Sequence, residues 1–225
     1  MKDAGIALNR FQLDPAFQRG FESGGCLLGQ ASMVLGANGL PVSKTSTGSE
    51  IDSDIQDTQE AALKGWAVLN NVWYEDPQSY YKCKGFRYYG FGGEAQVYSE
   101  DDAYVHKICR TGQYDDLSHF FDRIVIQNTL CPAASLFVEG FGRDGQGDFV
   151  VLMKQRFFRQ SHIMTESEIN LYMKCLGFKC VLDERYNNWS YYSDTVIAED
   201  LHPGNIWMTE ESNVVIIDGR FAFNM

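Results

Sequence analysis

The stretch from Thr195 to Asp218 limits what this 225-residue chain can fold into more than any other part of it. It opens with a strand-like run, Thr195 to Ala198, and passes into Asp200-Leu-His-Pro-Gly-Asn205. Two short apolar runs follow, Ile206 to Thr209 and Val214 to Ile217, and the second ends on Asp218. Runs of this kind predict strands, and the polar residues between them predict a hairpin. Such a hairpin brings Asn205 and Asp218 close together. The Pro203-Gly204 pair predicts a tight turn that carries Asp200 toward the same point.

Taken singly, these residues have plain structural readings. Asp200 caps a turn, Asp218 ends a strand, and His202 bonds backbone inside the turn. Taken together at this spacing, they supply a set of oxygen groups with a chemical use. Phosphoryl transfer needs a carboxylate to orient or deprotonate an acceptor hydroxyl, and oxygen ligands to hold magnesium on the phosphates. An Asp and an Asn flanking a tight turn, with a second Asp from an adjacent strand, meet that need.

Charge narrows the partners. The formal net charge is -11, and such a surface repels a phosphate backbone, so nucleic-acid binding is not expected. A nucleotide is still admissible where metal ions and a few local cations offset the field. The six cysteines form no C-x-x-C pair, which argues against a zinc site and for free thiols in a reducing compartment. The first ten residues lack the apolar core of a secretory signal, and Gly24 to Leu40 is too short and too polar to span a bilayer. A soluble, cytoplasmic protein with no membrane partner is expected.

Apolar residues make up 44% of the chain, enough for a sizeable core. Residues 1–56 form an N-terminal extension, with a short helix expected from Asp14-Pro15 and linker composition in Ser43 to Glu50. Apolar residues at Ala62, Leu63, Trp66, Ala67 and Leu69 predict an amphipathic helix over 58–70. Strands are expected at 86–91, 96–99 and 103–108, then a helix over 115–130 and a hairpin of 134–141 with 149–154. Thr165-Glu-Ser-Glu168 is a capping-box pattern opening a helix that Gly177 stops. Strand-like pieces at 179–182, 195–198, 206–209 and 214–217 complete an α+β layout.

Asp200-Leu-His-Pro-Gly-Asn205 resembles the catalytic loop of kinase-like phosphotransferases, in which aminoglycoside kinases carry H-G-D-x-H-x-x-N and protein kinases carry H-R-D-x-x-x-x-N. Ile217-Asp218-Gly219 resembles their metal-binding D-F-G or I-D-x region. The resemblance makes Asp200 the catalytic base and Asn205 and Asp218 the metal ligands. Upstream, Gly90-Phe-Gly-Gly-Glu-Ala-Gln-Val-Tyr98 resembles the glycine-rich loop that covers nucleotide phosphates, where a missing Cβ lets backbone come close. This implies nucleotide contacts from Gly90, Gly92 and Gly93, with Val97 packing on the base. Lys107, ten residues past Val97, matches the strand lysine presented to the α/β-phosphates. In such kinases an acid on the next helix holds that lysine. Asp122 is the choice here, ahead of Asp115 and Asp116, with Asn128 as a second polar partner. Met153-Lys-Gln-Arg156, with Gln155 within it, takes the place of the hinge that meets adenine through backbone groups.

Over residues 58–220 the chain resembles the Ser/Thr/Tyr kinase domain of bacterial and phage polyvalent proteins. The pieces that carry this are Gly92 to Tyr98, Arg123 to Asn128, Glu139-Gly-Phe141, Gln155-Arg-Phe157, Glu168-Ile169, Gly177-Phe178 and Ile197 through Asp218. The implied fold is two-lobed, with a small antiparallel sheet in an N-lobe at 57–155 and a reduced C-lobe at 156–225. The implied activity is ATP- and magnesium-dependent transfer to a hydroxyl of a protein or small molecule. Three departures matter. The chain ends seven residues after Asp218, residue 199 is Glu in place of the loop arginine, and Arg220 follows Gly219. They leave room for a minimal kinase, for a pseudokinase-type module that binds nucleotide or protein without turnover, or for a domain completed by another protein.

Overall fold

A computed structural model describes residues 25–37, 53–114, 116–183 and 188–224. The helix expected from Asp14-Pro15 and the linker-like Ser43 to Glu50 lie outside these residues. The described elements run α1 (Gly25–Ala37), α2 (Ser53–Leu69), β1 (Trp73–Tyr74), α3 (Pro77–Cys83), β2 (Arg87–Phe91), β3 (Ala95–Ser99), β4 (Tyr104–Arg110) and α4 (Leu117–Leu130). Then come a single turn of 3-10 helix (Pro132–Ala134), β5 (Leu136–Arg143), β6 (Phe149–Arg156), β7 (Gln160–Ile163), α5 (Glu166–Cys175), β8 (Lys179–Asp183), β9 (Asn188–Tyr192), β10 (Val196–Glu199), β11 (Ile206–Thr209), β12 (Val214–Ile216) and β13 (Arg220–Phe223). The fold is mixed α+β.

Six strands form the largest sheet, in the order β1-β5-β6-β4-β3-β2. It is antiparallel apart from β1, which runs parallel to β5. Alternation along β4 and β6 gives the sheet two different faces. One carries Tyr98, Ile108, Val150 and Leu152 against Tyr81 of α3, with Tyr74, Tyr80 and Phe86 beside them. Helix α3 starts where it does because Pro77 suits its first turn and the Asp76 carboxylate accepts from the Ser79 N–H at 2.9 Å.

The opposite face carries the main core. Val138, Phe141, Val151 and Met153 pack there with Leu28, Ala31 and Leu35 of α1, with Leu63 and Ala67 of α2, and with α4. Helix α4 is buried along most of its surface, including Phe120, Phe121, Ile124, Val125 and Ile126. Each such side chain contributes about 1.5–3 kcal/mol relative to exposure. Its first turn is capped by Asp116, which accepts from the His119 N–H at 2.9 Å, and by Gln59 of α2, whose Oε1 accepts from the Leu117 N–H at 2.9 Å.

The same core continues through α4 into two smaller sheets, β12-β11-β7 and β13-β10-β9-β8. Helix α5 covers them with Ile169 and Met173, opened by the expected capping box of Thr165 and Glu168. Gly177 takes φ +89°, the left-handed turn that a glycine after a helix supplies. Among the described residues no helix is long and apolar enough to cross a membrane.

Candidate active site

The expected hairpin forms. Ile206 pairs with Ile216 and Met208 with Val214, and the Asn205 carbonyl accepts from Ile217 N–H at 2.9 Å and from Asp218 N–H at 3.4 Å. Asn205 and Asp218 are thereby joined through backbone. On the other side of the turn, the Asn205 side-chain amide donates to the Asp200 carbonyl at 2.8 Å and to its carboxylate Oδ2 at 3.2 Å. The amide nitrogen is spent on Asp200, so the Asn205 Oδ1 is the atom left for a metal. The three residues singled out from sequence stand around one point.

Asp200 sits at φ +58°, a left-handed backbone that Asp tolerates better than most residues. Its side chain is about half exposed and lies 3.7 Å from His202 Nε2. His202 Nδ1 accepts from the Gly204 N–H at 3.0 Å, so the ring braces the turn. A Cβ on Gly204 would stand 2.7 Å from the His202 ring, so a larger residue there displaces the ring from this bond.

The large sheet faces this point. In register, Gly90 pairs with Val97 and Val97 with Lys107. Residues directly opposite across strands share a face, so Val97 and Lys107 project together. Lys107 is nearly buried, and its Nζ donates to the Ile217 carbonyl at 2.8 Å, beside Asp218. A Cβ at Gly90 or Gly93 would meet no atom within 4 Å, and neither has a positive φ. Nothing in the chain's own packing demands glycine at either position. Gly92 is almost as open, with the Ala95 carbonyl 3.9 Å from its Cβ position.

The remaining positions singled out from sequence, and one that was not, are placed as follows. The α4 residue that reaches the Asp218 region is Arg123. It is buried, donates through Nε to the Gly219 carbonyl at 2.7 Å, and pairs through Nη2 with Asp218 Oδ1. Its Nη1 lies 3.7 Å from Glu94, in the glycine-rich loop. Asp122 is half-buried one residue earlier, about 100° round the helix. Asp116 serves as the helix cap, and Asp115 lies outside the described residues. Asn128 is bonded to Leu136 at both backbone groups. Gln155 lies inside the sheet between β4 and β5, and its amide donates to the Ala134 carbonyl at 2.8 Å. Its side chain is thus turned into the core, and the chain leaves the sheet only beyond Arg156.

Burial opposes charge on Asp218, but Arg123, Lys107, the Gly219 N–H and His202 outweigh it and hold the carboxyl below its usual range. Asp218 is therefore ionised and a third of its side chain is exposed. Among the described residues no three His, Cys, Asp or Glu side chains cluster as a metal cage. One carboxylate and one amide oxygen suit a hard ion such as magnesium, which prefers a few protein oxygens shared with phosphate and water. The neighbouring cation Lys107 suits a polyanion, while Arg123 is committed to Asp218 and the Gly219 carbonyl.

No curated protein and no solved structure matches the chain. A family model matches residues 56–225, the part of the chain that carries the large sheet, α4 and the Asp200–Asp218 segment. Over that span the chain belongs to the family of Serine/Threonine/Tyrosine kinases found in polyvalent proteins.

Proposed function

We propose that this kinase-family chain transfers the terminal phosphoryl group of ATP, with magnesium, to a hydroxyl. The supporting observation is the convergence of Asp200, Asn205, Asp218 and Lys107 from three separate segments on one point. In this reading the six-stranded sheet with α4 is the N-lobe, and the two small sheets with α5 form a reduced C-lobe.

Magnesium, when bound, neutralises charge on the phosphates and draws their oxygens into place. Asn205 Oδ1 and Asp218 would hold the ion. Lys107 contacts phosphate, which requires its ammonium to exchange the Ile217 carbonyl for a phosphate oxygen. Gly90, Gly92 and Gly93 bring backbone over the phosphates. Val97, on the Lys107 face, packs against the base, and backbone at the exit of β6 meets its edge. The half-exposed Asp200 carboxylate accepts the proton of the acceptor hydroxyl, and its bond to Asn205 keeps it beside the metal.

Asp200→Asn separates turnover from binding. Loss of a general base lowers the rate of phosphotransfer or ATP hydrolysis by about 10²–10⁴-fold, with nucleotide affinity kept. An unchanged rate removes Asp200 from the chemistry. Nucleotide binding with no turnover in the wild-type protein favours the pseudokinase-type alternative.

A further inference from the structure

Helix α4 and the residue that follows it meet the end of β12 and the segment beyond with polar side chains, where an apolar stripe is the usual contact. Arg123 and Gln127 are spaced four residues apart on one face of α4, and Cys131 follows directly after its last turn. Each engages the chain between Ile216 and Gly219. Arg123 bonds the Gly219 carbonyl and the Asp218 carboxylate. Gln127 Nε2 donates to the Ile216 carbonyl at 3.2 Å, and Cys131 Sγ accepts from the Ile216 N–H at 3.4 Å.

A buried guanidinium is costly unless its donors are met. Here Nε and Nη2 take a carbonyl and a carboxylate on successive residues, which a planar fork can do and an ammonium cannot. Nη1 lies near Glu94, and the Tyr114 ring centre is 5.8 Å from the guanidinium carbon. Among the described residues, Arg123 Nη2 and the Gly219 N–H both donate to Asp218 Oδ1. That fixes the rotation of the carboxylate and leaves Oδ2 for a metal.

We propose that Arg123 is a positioning residue that sets Asp218 for magnesium. Helix α4 then aligns the metal ligand directly, in addition to whatever it does for Lys107. The inference rests on the phosphotransfer reading above.

The test is calorimetric titration of a non-hydrolysable ATP analogue with and without magnesium, on the wild type, Arg123→Met and Arg123→Lys. In the wild type, magnesium tightens binding at least about tenfold. In Arg123→Met that increment falls below about threefold, while metal-free affinity stays within about threefold. Arg123→Lys recovers part of the increment, because one ammonium reaches one of the two acceptors. A wild-type increment in Arg123→Met overturns the proposal and leaves the phosphotransfer reading intact. Wild-type binding with no magnesium increment also overturns it, while nucleotide binding stands. No wild-type binding in either condition overturns both. If Arg123→Met does not fold by circular dichroism, Arg123→Lys decides by the same increment. Failure of both to fold makes Arg123 a structural residue and overturns the proposal.

Discussion

Gly140 in strand β5 and Gly93 in the turn between β2 and β3 have opposite reasons for being glycine, and exchanging each for alanine separates a requirement of the fold from a requirement of the ligand. At Gly140 a Cβ would stand 2.5 Å from a ring carbon of Tyr74 and 2.7 Å from the Val72 carbonyl. Gly140 is buried at an irregularity in the β5–β6 ladder, where backbone cannot easily retreat. Overpacking of this kind costs about 1–3 kcal/mol. For a domain of this size, that is a fall in Tm of about 2–12 °C. At Gly93 a Cβ would meet nothing within 4 Å and the backbone is not left-handed. Gly93→Ala therefore leaves the fold unharmed and gains about 0.4–1 kcal/mol through the unfolded chain. In the proposed function that Cβ stands between backbone and phosphate. Affinity for magnesium–ATP then falls by about tenfold, or 1.4 kcal/mol. Differential scanning fluorimetry and nucleotide titration on both variants read the two effects. A Gly93→Ala protein that melts as early as Gly140→Ala, or that binds nucleotide as the wild type does, refutes this reasoning.

Three further outcomes follow from other contacts. Gln155→Ala removes the donor to the buried Ala134 carbonyl, which costs about 1–3 kcal/mol in thermal unfolding, and nucleotide affinity stays unchanged; a loss of affinity without a loss of Tm makes the Gln155 side chain a direct contact. Asp218, held below the usual carboxylate range when folded, contributes stability above the unfolded value of about 3.9 and loses it as pH falls through its folded value. Melting followed from pH 7 to pH 3 thus drops at the acid end, and the drop is shallower in Asp218→Asn; equal slopes contradict the assignment. Thr165→Ala opens the capping box of α5 and costs about 0.5–2 kcal/mol by chemical denaturation; no change means the first turn is held by other contacts.

The Asp200–Asn205 turn was legible in the sequence because its contacts are local. Asp200, His202, Gly204 and Asn205 bond within five residues of one another, and a short hairpin supplies Asp218. Helix α4 was legible from its apolar spacing, but its reach to Asp218 was not. That contact joins residues 95 positions apart, and the family resemblance directs attention to an acid, hence to Asp122. A lone arginine among Phe120, Phe121, Ile124, Val125 and Ile126 was the available signal, since a charge in an apolar face must find a partner. Helix α1 lacked an amphipathic pattern, because its small residues Gly29, Ala31 and Ser32 blur the apolar spacing. Strand β13 is too short to predict alone and exists through pairing with β10. From sequence, Gln155 reads as part of a hinge that meets adenine through backbone groups, and what the sequence does not show is that its side chain turns to the core and bonds Ala134.

The central claim is that Lys107, Asn205 and Asp218 form one magnesium-dependent nucleotide site. Thermal unfolding with ATP and magnesium, measured on the wild type, Lys107→Met and Asp218→Asn, tests it most directly. At about 100 times Kd the wild type gains roughly 2.7 kcal/mol, a rise in Tm of about 5–11 °C. Both variants lose most of that rise, and omitting magnesium removes it from the wild type. A wild type that does not shift, or variants that shift as far as the wild type, contradicts the account.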